Sequence, residues 1–470
     1  MKTYFRRFNQ LFYMLKYTLL SLFFFPLALA AQFSPFCSGA TNGFVVDFEL
    51  YQNQIHATGF FSTICGKNTG YIAQWTGSQW APAAMGGIDE GHALAVIDDA
   101  LFIATYEFGV DSNYVLRWNG ANLTAIGTVY RTNPNPNLSQ TPSIYDIVEF
   151  QGAVVVCGEF NWVAGRTVSG IARWNGVAWD SLGGGLSGSL NSNFPVIYPH
   201  QMTVLEDNLI VCGNFLKAGG QTVNGIARWN GQNWQALGEG FNDVVYGVGV
   251  FNGDLYAGGA FTASGNTDLG LIARWNGTSW ENPGFEFEYS TTGATPFVHT
   301  LKQVGDSLFI AGGFNQVKLP AATPASGVVV LNSSGQINTL GGGVPNRQIE
   351  AIIPYNGGVL VGGGGPTNSG YLGFWNPGTT SVETLFDPQQ NWTVYPNPVR
   401  DFLILERLEN FDYTMLSLRD TNGKRCLQME ITGGTGKIRL PDLPNGVYYI
   451  QLFGSPNHSP SQKKIVVLGD

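Results

Sequence analysis

Apolar runs a few residues long, each closed by Gly or Asn-Gly, fill residues 44–387 and return in the same order. One set reads 246–251, a turn at Asn252-Gly253-Asp254, then 255–261, 271–275 and a short stretch around Trp280. Inside the runs the pattern alternates, as in His92, Leu94 and Val96 against Ala93 and Ala95. That is the two-residue period of a strand, and no stretch of the region carries the 3.6-residue period of a helix. Each set therefore predicts four short strands, with helix almost absent.

The sets repeat. Ile-Ala-Arg-Trp-Asn-Gly stands at 171–176, 226–231 and 272–277, and looser copies are marked by Trp75, Trp118, Leu331 and Trp375. The seven markers lie 43 to 56 residues apart. Such a period indicates a solenoid, propeller or array, and four strands per period select the propeller. The expected fold class is all-β, a seven-bladed β-propeller over 36–387 followed by a small β-sandwich over 391–470. Ring closure is expected by abutment, with the seventh blade ending in its own strand near Phe386.

Composition fits. The chain has 62 Gly, 12 Trp, 19 Tyr and 31 Phe but only 12% charged residues, so it can bury flat and β-branched side chains between stacked sheets. A net charge of -9 with no basic run argues against nucleic acid as a partner. Lys2, Arg6, Arg7 and Lys16 precede an apolar run closing in Ala28-Leu29-Ala30, so residues 1–30 read as a secretory signal peptide rather than an uncleaved anchor. Among five cysteines, Cys37 and Cys65 are placed to pair and pin the N-terminus, while Cys157 and Cys212 read as buried thiols.

After residue 391 the repeat is lost. The segment opens with Tyr395-Pro396-Asn397-Pro398, passes through Asn422-Gly423-Lys424 and Asn445-Gly446-Val447-Tyr448, and ends in a Lys-rich strand. It closely resembles the type A C-terminal sorting domain of the type IX secretion system of Bacteroidetes. That resemblance implies Sec export, engagement of the type IX machinery, and a secreted or cell-surface protein, released or attached through lipopolysaccharide. The repeats resemble kelch-like and galactose-oxidase-type propellers through their Gly-x-Phe and Ala-Arg-Trp-Asn-Gly strands. No residue set here matches the copper site of galactose oxidase, so this second resemblance implies fold alone. No cofactor or metal is assigned, and a monomer is expected.

Loop lengths direct attention to one face. Connections between first and second and between third and fourth strands are tight, whereas the long ones, including 128–143, 183–199 and 283–298, share the opposite face. Loops on a rigid scaffold concentrate binding residues. Trp162, Phe285, Glu286, Phe287, Glu288 and Tyr289 in these loops are the candidate ligand contacts, with cover for the sheet edge as the alternative. Nine residues before each second strand stand Val46, His92, Tyr145, His200, Tyr246, His299 and Glu350. This set should ring the channel mouth, where it packs between blades, binds a ligand or holds a metal. The repeated Trp residues read as packing, and Arg117, Arg173, Arg228 and Arg274 as bonding between blades. No catalytic signature is present. The favoured function is a binding propeller for glycan or protein. The alternatives are a polysaccharide-active hydrolase, lyase or metal-dependent oxidase, and a purely structural surface component.

Overall fold

A computed structural model describes residues 33–37, 41–375 apart from 87, 89, 108, 133–140, 191–195, 291–294, 320, 345–347, 357 and 365–368, and most strands of 392–467. The signal peptide, the expected strand near Phe386, Pro396, Asn397, Pro398 and Asn445 lie outside the described residues. The described chain is all-β, with one 3-10 turn at Leu340–Gly342 and no α-helix. It divides into two compact units, Met1–Leu385 and Phe386–Asp470.

Among the described residues, the first unit contains seven successive antiparallel sheets of four or more strands. Their first strands are Val45–Tyr51, Gly91–Ile97, Ser143–Phe150, Tyr198–Leu205, Val245–Phe251, Phe297–Val304 and Gln348–Tyr355, numbered here as sheets one to seven. Each first strand packs against the first strand of the next sheet, and that of sheet seven packs against that of sheet one. Gly247 and Gly249 show how close this approach is. A Cβ on either would lie 2.6 Å from His299 O or 2.9 Å from the Leu301 Cβ.

The repeated phrase has a local cause. In Trp-Asn-Gly, the Asn175 side-chain oxygen accepts from the backbone N–H groups of Val177 and Ala178, and Asn119, Asn230 and Asn276 do the same two and three residues on. Gly176, Gly120, Gly231 and Gly277 follow with φ between 90° and 99°, a conformation that favours glycine. The fourth-strand tryptophans link the sheets. Nε1 of Trp179, Trp234 and Trp280 donates to Ile126, Leu182 and Leu237 of the preceding repeat at 2.7, 3.0 and 2.9 Å. The arginines differ from expectation, because Arg228 and Arg274 bond to Gln235 and Glu281, their direct cross-strand partners in the same sheet.

First strands also clamp one another. Asp47 accepts from Phe48 N and, across the sheet boundary, from Leu94 N, each at 2.8 Å. Asp146 accepts likewise from Ile147 N at 2.8 Å and Met202 N at 2.6 Å, and Gln201 Oε1 accepts from Val248 N at 2.9 Å.

Sheet seven corrects the expectation that it ends in its own strand. The edge strand of sheet seven is Phe33–Pro35, paired antiparallel with Gly370–Trp375. The unit thus begins before residue 36. Phe36 packs on Trp75 of sheet one and Tyr355 of sheet seven, Trp75 Nε1 donates to the Tyr355 hydroxyl at 2.7 Å, and a disulfide joins Cys37 to Cys65. Sequence periodicity does not show this, since a lone three-residue strand carries no repeat.

In the second unit, Trp392–Tyr395, Phe402–Arg407 and Thr435–Arg439 form one sheet. Tyr413–Asp420, Arg425–Glu430, Gly446–Gly454 and Ser461–Val467 form another. They share a core of Leu403, Leu405, Leu416, Leu418, Ile438, Tyr448 and Ile450.

Two outcomes follow for stability. Cys65→Ser in the mature chain should cost about 2–4 kcal/mol in denaturant unfolding, because the bridge spans 28 residues; unchanged unfolding would separate the disulfide from closure. Asp146→Ala should cost about 2–4 kcal/mol by leaving two backbone N–H groups without an acceptor, and Asp146→Asn less. Equal losses would show that the clamp to Met202 is not the stabilising element.

Candidate functional site

The residues nine positions ahead of the second strands share more than a sequence offset. Val46, His92, Tyr145, His200, Tyr246, His299 and Glu350 are each the extra residue of a β-bulge in the first strand of their sheet. A bulge leaves its residue out of the ladder and re-aims its side chain. Six of the seven, with Asp47, Asp146, Gln201, Thr300 and Lys302, line a cavity of about 370 Å³ among the first strands.

The rings are in contact. His92 stacks on Tyr106 at 4.4 Å and 10° and on Tyr145 at 5.4 Å and 14°, and Tyr145 stacks on His200 at 5.5 Å and 16°. His200 meets His299 edge to face at 4.8 Å, and His299 lies nearly parallel to Tyr246. The alternate sheets are thus within reach of one another. Among the described residues, however, no group of three or more His, Cys, Asp or Glu side chains is arranged to hold a metal.

Hydrogen bonding fixes part of this arc. His200 Nδ1 lies 2.8 Å from Tyr246 O and donates to it, which leaves the lone pair on Nε2. The Tyr145 hydroxyl donates to Glu159 at 2.9 Å, and Glu159 is paired with the largely buried Arg131 at 2.5 Å. Glu350 accepts from Gln348 at 2.8 Å. His92 is only 8% exposed, and neither of its ring nitrogens has a hydrogen-bond partner, nor has the buried Nδ1 of His299.

Burial sets the charges. It pushes Asp47 and Glu350 up to about 7 and Asp146 up to about 6, against the backbone bonds on the two Asp carboxyls and the Gln348 bond to Glu350. Desolvation pushes His92, His200 and His299 down to about 3, 4 and 3, so all three are neutral at pH 7.

The loop candidates separate. Phe285 and Phe287 are buried, which removes them from the ligand-contact set. Glu286–Glu288 is a short strand paired with Gln316–Leu319, so alternation turns Phe287 inward onto Phe314 and leaves Glu286 and Glu288 beside Lys318. Glu286 is therefore an ion-pair partner away from Glu350, and Tyr289 is half-buried just past the strand. Trp162 stays exposed at 37% and packs edge to face on Tyr130, 36% exposed, at 5.1 Å. Tyr130 is paired with Trp162 on one side and Ser112 on the other, which places Tyr114, two residues on and 42% exposed, on the same face. Tyr114, Tyr130 and Trp162 form an exposed aromatic strip across sheet two.

Sequence reading missed Tyr114, Tyr106 and the Asp47 and Asp146 clamps. A signal for Tyr106 existed. Five residues after the start of each second strand stand Phe60, Tyr106, Glu159, Asn214, Ala260, Gly313 and Gly364. This position is large in the early sheets and small in the late ones, where a Cβ on Gly313 or Gly364 would strike the ring of Phe297 or Phe44. A larger depression, of about 530 Å³, lies between sheets four and five at the tight-turn end. Its arginines, Arg228 and Arg274, are already bonded to Gln235, Glu281 and Asp254.

Comparison with known proteins identifies the tail. Residues 393–468 match the family of secretion system C-terminal sorting domains. This domain implies interaction with the type IX secretion machinery, and export to the outer surface or the medium. No curated protein sequence matches the chain. Among solved structures, the chain is similar to the extracellular domain of BT4673 from B. thetaiotaomicron, at 14% identity and a TM-score of 0.42, covering 93% of this chain and 58% of that one. It is also similar to PorZ, a surface component of the type-IX secretion system of Porphyromonas gingivalis, at 13% identity and a TM-score of 0.31, covering 89% and 64%. The chain thus spans less than two thirds of either, and at these TM-scores the likeness carries nothing about function.

The buried rings predict a pH dependence. Below pH 6.5 the unfolded chain protonates its imidazoles while the folded chain does not, so their contribution to stability is complete above 6.5 and is lost toward pH 3–4. The three raised carboxyls act oppositely, with stability falling as pH rises from about 4 to about 7. Comparison with His92→Phe isolates one ring. From pH 7 to pH 5 the wild type should lose about 2 kcal/mol relative to the variant in urea unfolding, and a constant difference would mean that His92 titrates normally.

Proposed function

We propose that residues 33–375 form a closed seven-bladed β-propeller of the kelch-like kind, carried to the cell exterior as a binding protein for extracellular polysaccharide. The succession of first-strand contacts, from sheet one round to sheet seven and back to sheet one, supports the closed ring. The observation that carries the binding reading is the strip of Tyr114, Tyr130 and Trp162. Large aromatic side chains are normally covered, yet these three stand together on ordered strands. Strand pairing and the Arg131–Glu159 ion pair beside Tyr130 hold the strip in place without a bound partner. Sugar rings stack their C–H faces on such surfaces, and rings spaced by strand geometry suit a chain of them.

The test is retention of the mature protein on immobilised polysaccharides, with the eluate assayed for released oligosaccharides. We expect retention on at least one polymer, loss of most of it in Trp162→Ala and in Tyr114→Ala, and no release. Retention that survives both substitutions, or no retention on any polymer, would overturn the reading. Released oligosaccharides would replace it with a polysaccharide-active enzyme.

A further inference from the structure

The cavity among the first strands has a polar inventory in which most groups are already committed. Both oxygens of Asp47 and both of Asp146 accept backbone N–H groups, and the Gln201 side-chain oxygen accepts a third such clamp. Lys302 sits in the field of Asp47, Glu49 and Asp146, so its charge is answered there. These groups form the structural floor of the cavity.

What remains uncommitted lies in the bulge ring. His92 is more than nine-tenths buried with both nitrogens unpartnered, the buried Nδ1 of His299 is unpartnered, His200 keeps a free Nε2, and Glu350 has one oxygen beyond its bond to Gln348. A buried polar atom without a partner costs about 1–3 kcal/mol, so these imidazoles sit where the fold itself does not satisfy them. The stack of Tyr106, His92, Tyr145 and His200 covers ring faces with ring faces. The His92 nitrogens and His299 Nδ1 are sealed by packing, whereas Nε2 of His200 and of His299 is not, so these two edges are the ones that offer hydrogen bonds to the cavity.

We propose that this ring of bulge residues binds a neutral, hydroxyl-rich guest the size of one sugar ring, with Nε2 of His200 and of His299 as its principal hydrogen-bonding contacts. The inference rests on the reading of the first unit as a glycan-binding propeller and adds to it a second subsite, apart from the aromatic strip. The guest is neutral because an anion would face the carboxyls of Asp47, Asp146 and Glu350, while a cation would find the Asp oxygens taken and a single free carboxyl oxygen on Glu350. His200 Nε2 offers a lone pair, and Nε2 of a neutral His299 offers a donor or an acceptor, which together match a hydroxyl group. A volume of about 370 Å³ lies at the lower end of the range of roughly 300–1,000 Å³ for small-molecule sites.

The chain has five histidines, so a histidine-labelled sample of the mature protein gives a readable spectrum. It is titrated at pH 7 with glucose, galactose, mannose and N-acetylglucosamine, and in parallel with acetate and spermidine. At least one sugar should move the imidazole signals of His200 and His299, and neither ion should. His299→Phe keeps a flat ring in place and should weaken that sugar at least tenfold, while Trp162→Ala should leave it unchanged. His200→Phe serves as the second variant if His299→Phe does not fold. Silent imidazole signals with all four sugars, a response to either ion instead, or unweakened sugar binding in the folded variant would overturn the proposal. Polymer retention through Trp162 alongside silent histidines would reject this subsite and leave the strip standing, whereas responsive histidines without polymer retention would do the reverse.

Discussion

Each of the seven sheets has a first strand with one edge that no strand covers. Unpaired backbone groups are costly when buried, and these edges lie at the most crowded part of the first unit. The chain answers with side chains from the neighbouring sheet. Asp47 reaches Leu94 N, Asp146 reaches Met202 N and Gln201 reaches Val248 N, so the same bonds that satisfy an edge also tie two sheets together. Burying two carboxyls for this purpose raises their proton affinity, and Lys302 sits where it offsets that cost. The glycines of sheet five fill the same role by subtraction, allowing backbones to meet where a Cβ would not fit.

The bulge ring is a consequence of that arrangement. One bulge per first strand, always just ahead of the clamp position, displaces a single side chain from the ladder in every sheet. Scaffold and candidate site therefore occupy adjacent residues, Asp146 beside Tyr145 and Gln201 beside His200. Substituting the site without disturbing the scaffold calls for flat replacements such as Phe for His.

Much of this was legible in the chain because it repeats. Trp-Asn-Gly recurs since each copy makes the same side-chain-to-backbone turn, and the offset of nine residues found the bulge ring before any bulge was visible. Closure was illegible because Phe33–Pro35 is short and belongs to no repeat. Phe285 and Phe287 were misjudged because their loop is itself a strand, and three residues of alternation are too few to show which side faces inward. Tyr114 escaped notice for the opposite reason. It sits within an ordinary third strand, and only the lengthened sheet two, where Trp162–Val163 adds to Leu123–Tyr130, turns its face into a surface. The sorting domain was the clearest reading of all, because its motifs occur in order, yet it fixes the destination and leaves the cargo's task to the first unit.

The pairing of Phe33–Pro35 with Gly370–Trp375 also bears on time. Ser34 and Phe374 are 340 residues apart in sequence, so the last sheet cannot form until almost the whole of the first unit has been made. Contacts of such separation are slow to form, and until they do one sheet edge stays open to the wrong partner. The sorting domain begins within about twenty residues of that last strand. An export system that reads the tail therefore meets it only when both partners of this strand pair exist, so chain order alone makes the address arrive no earlier than the means to finish the last sheet.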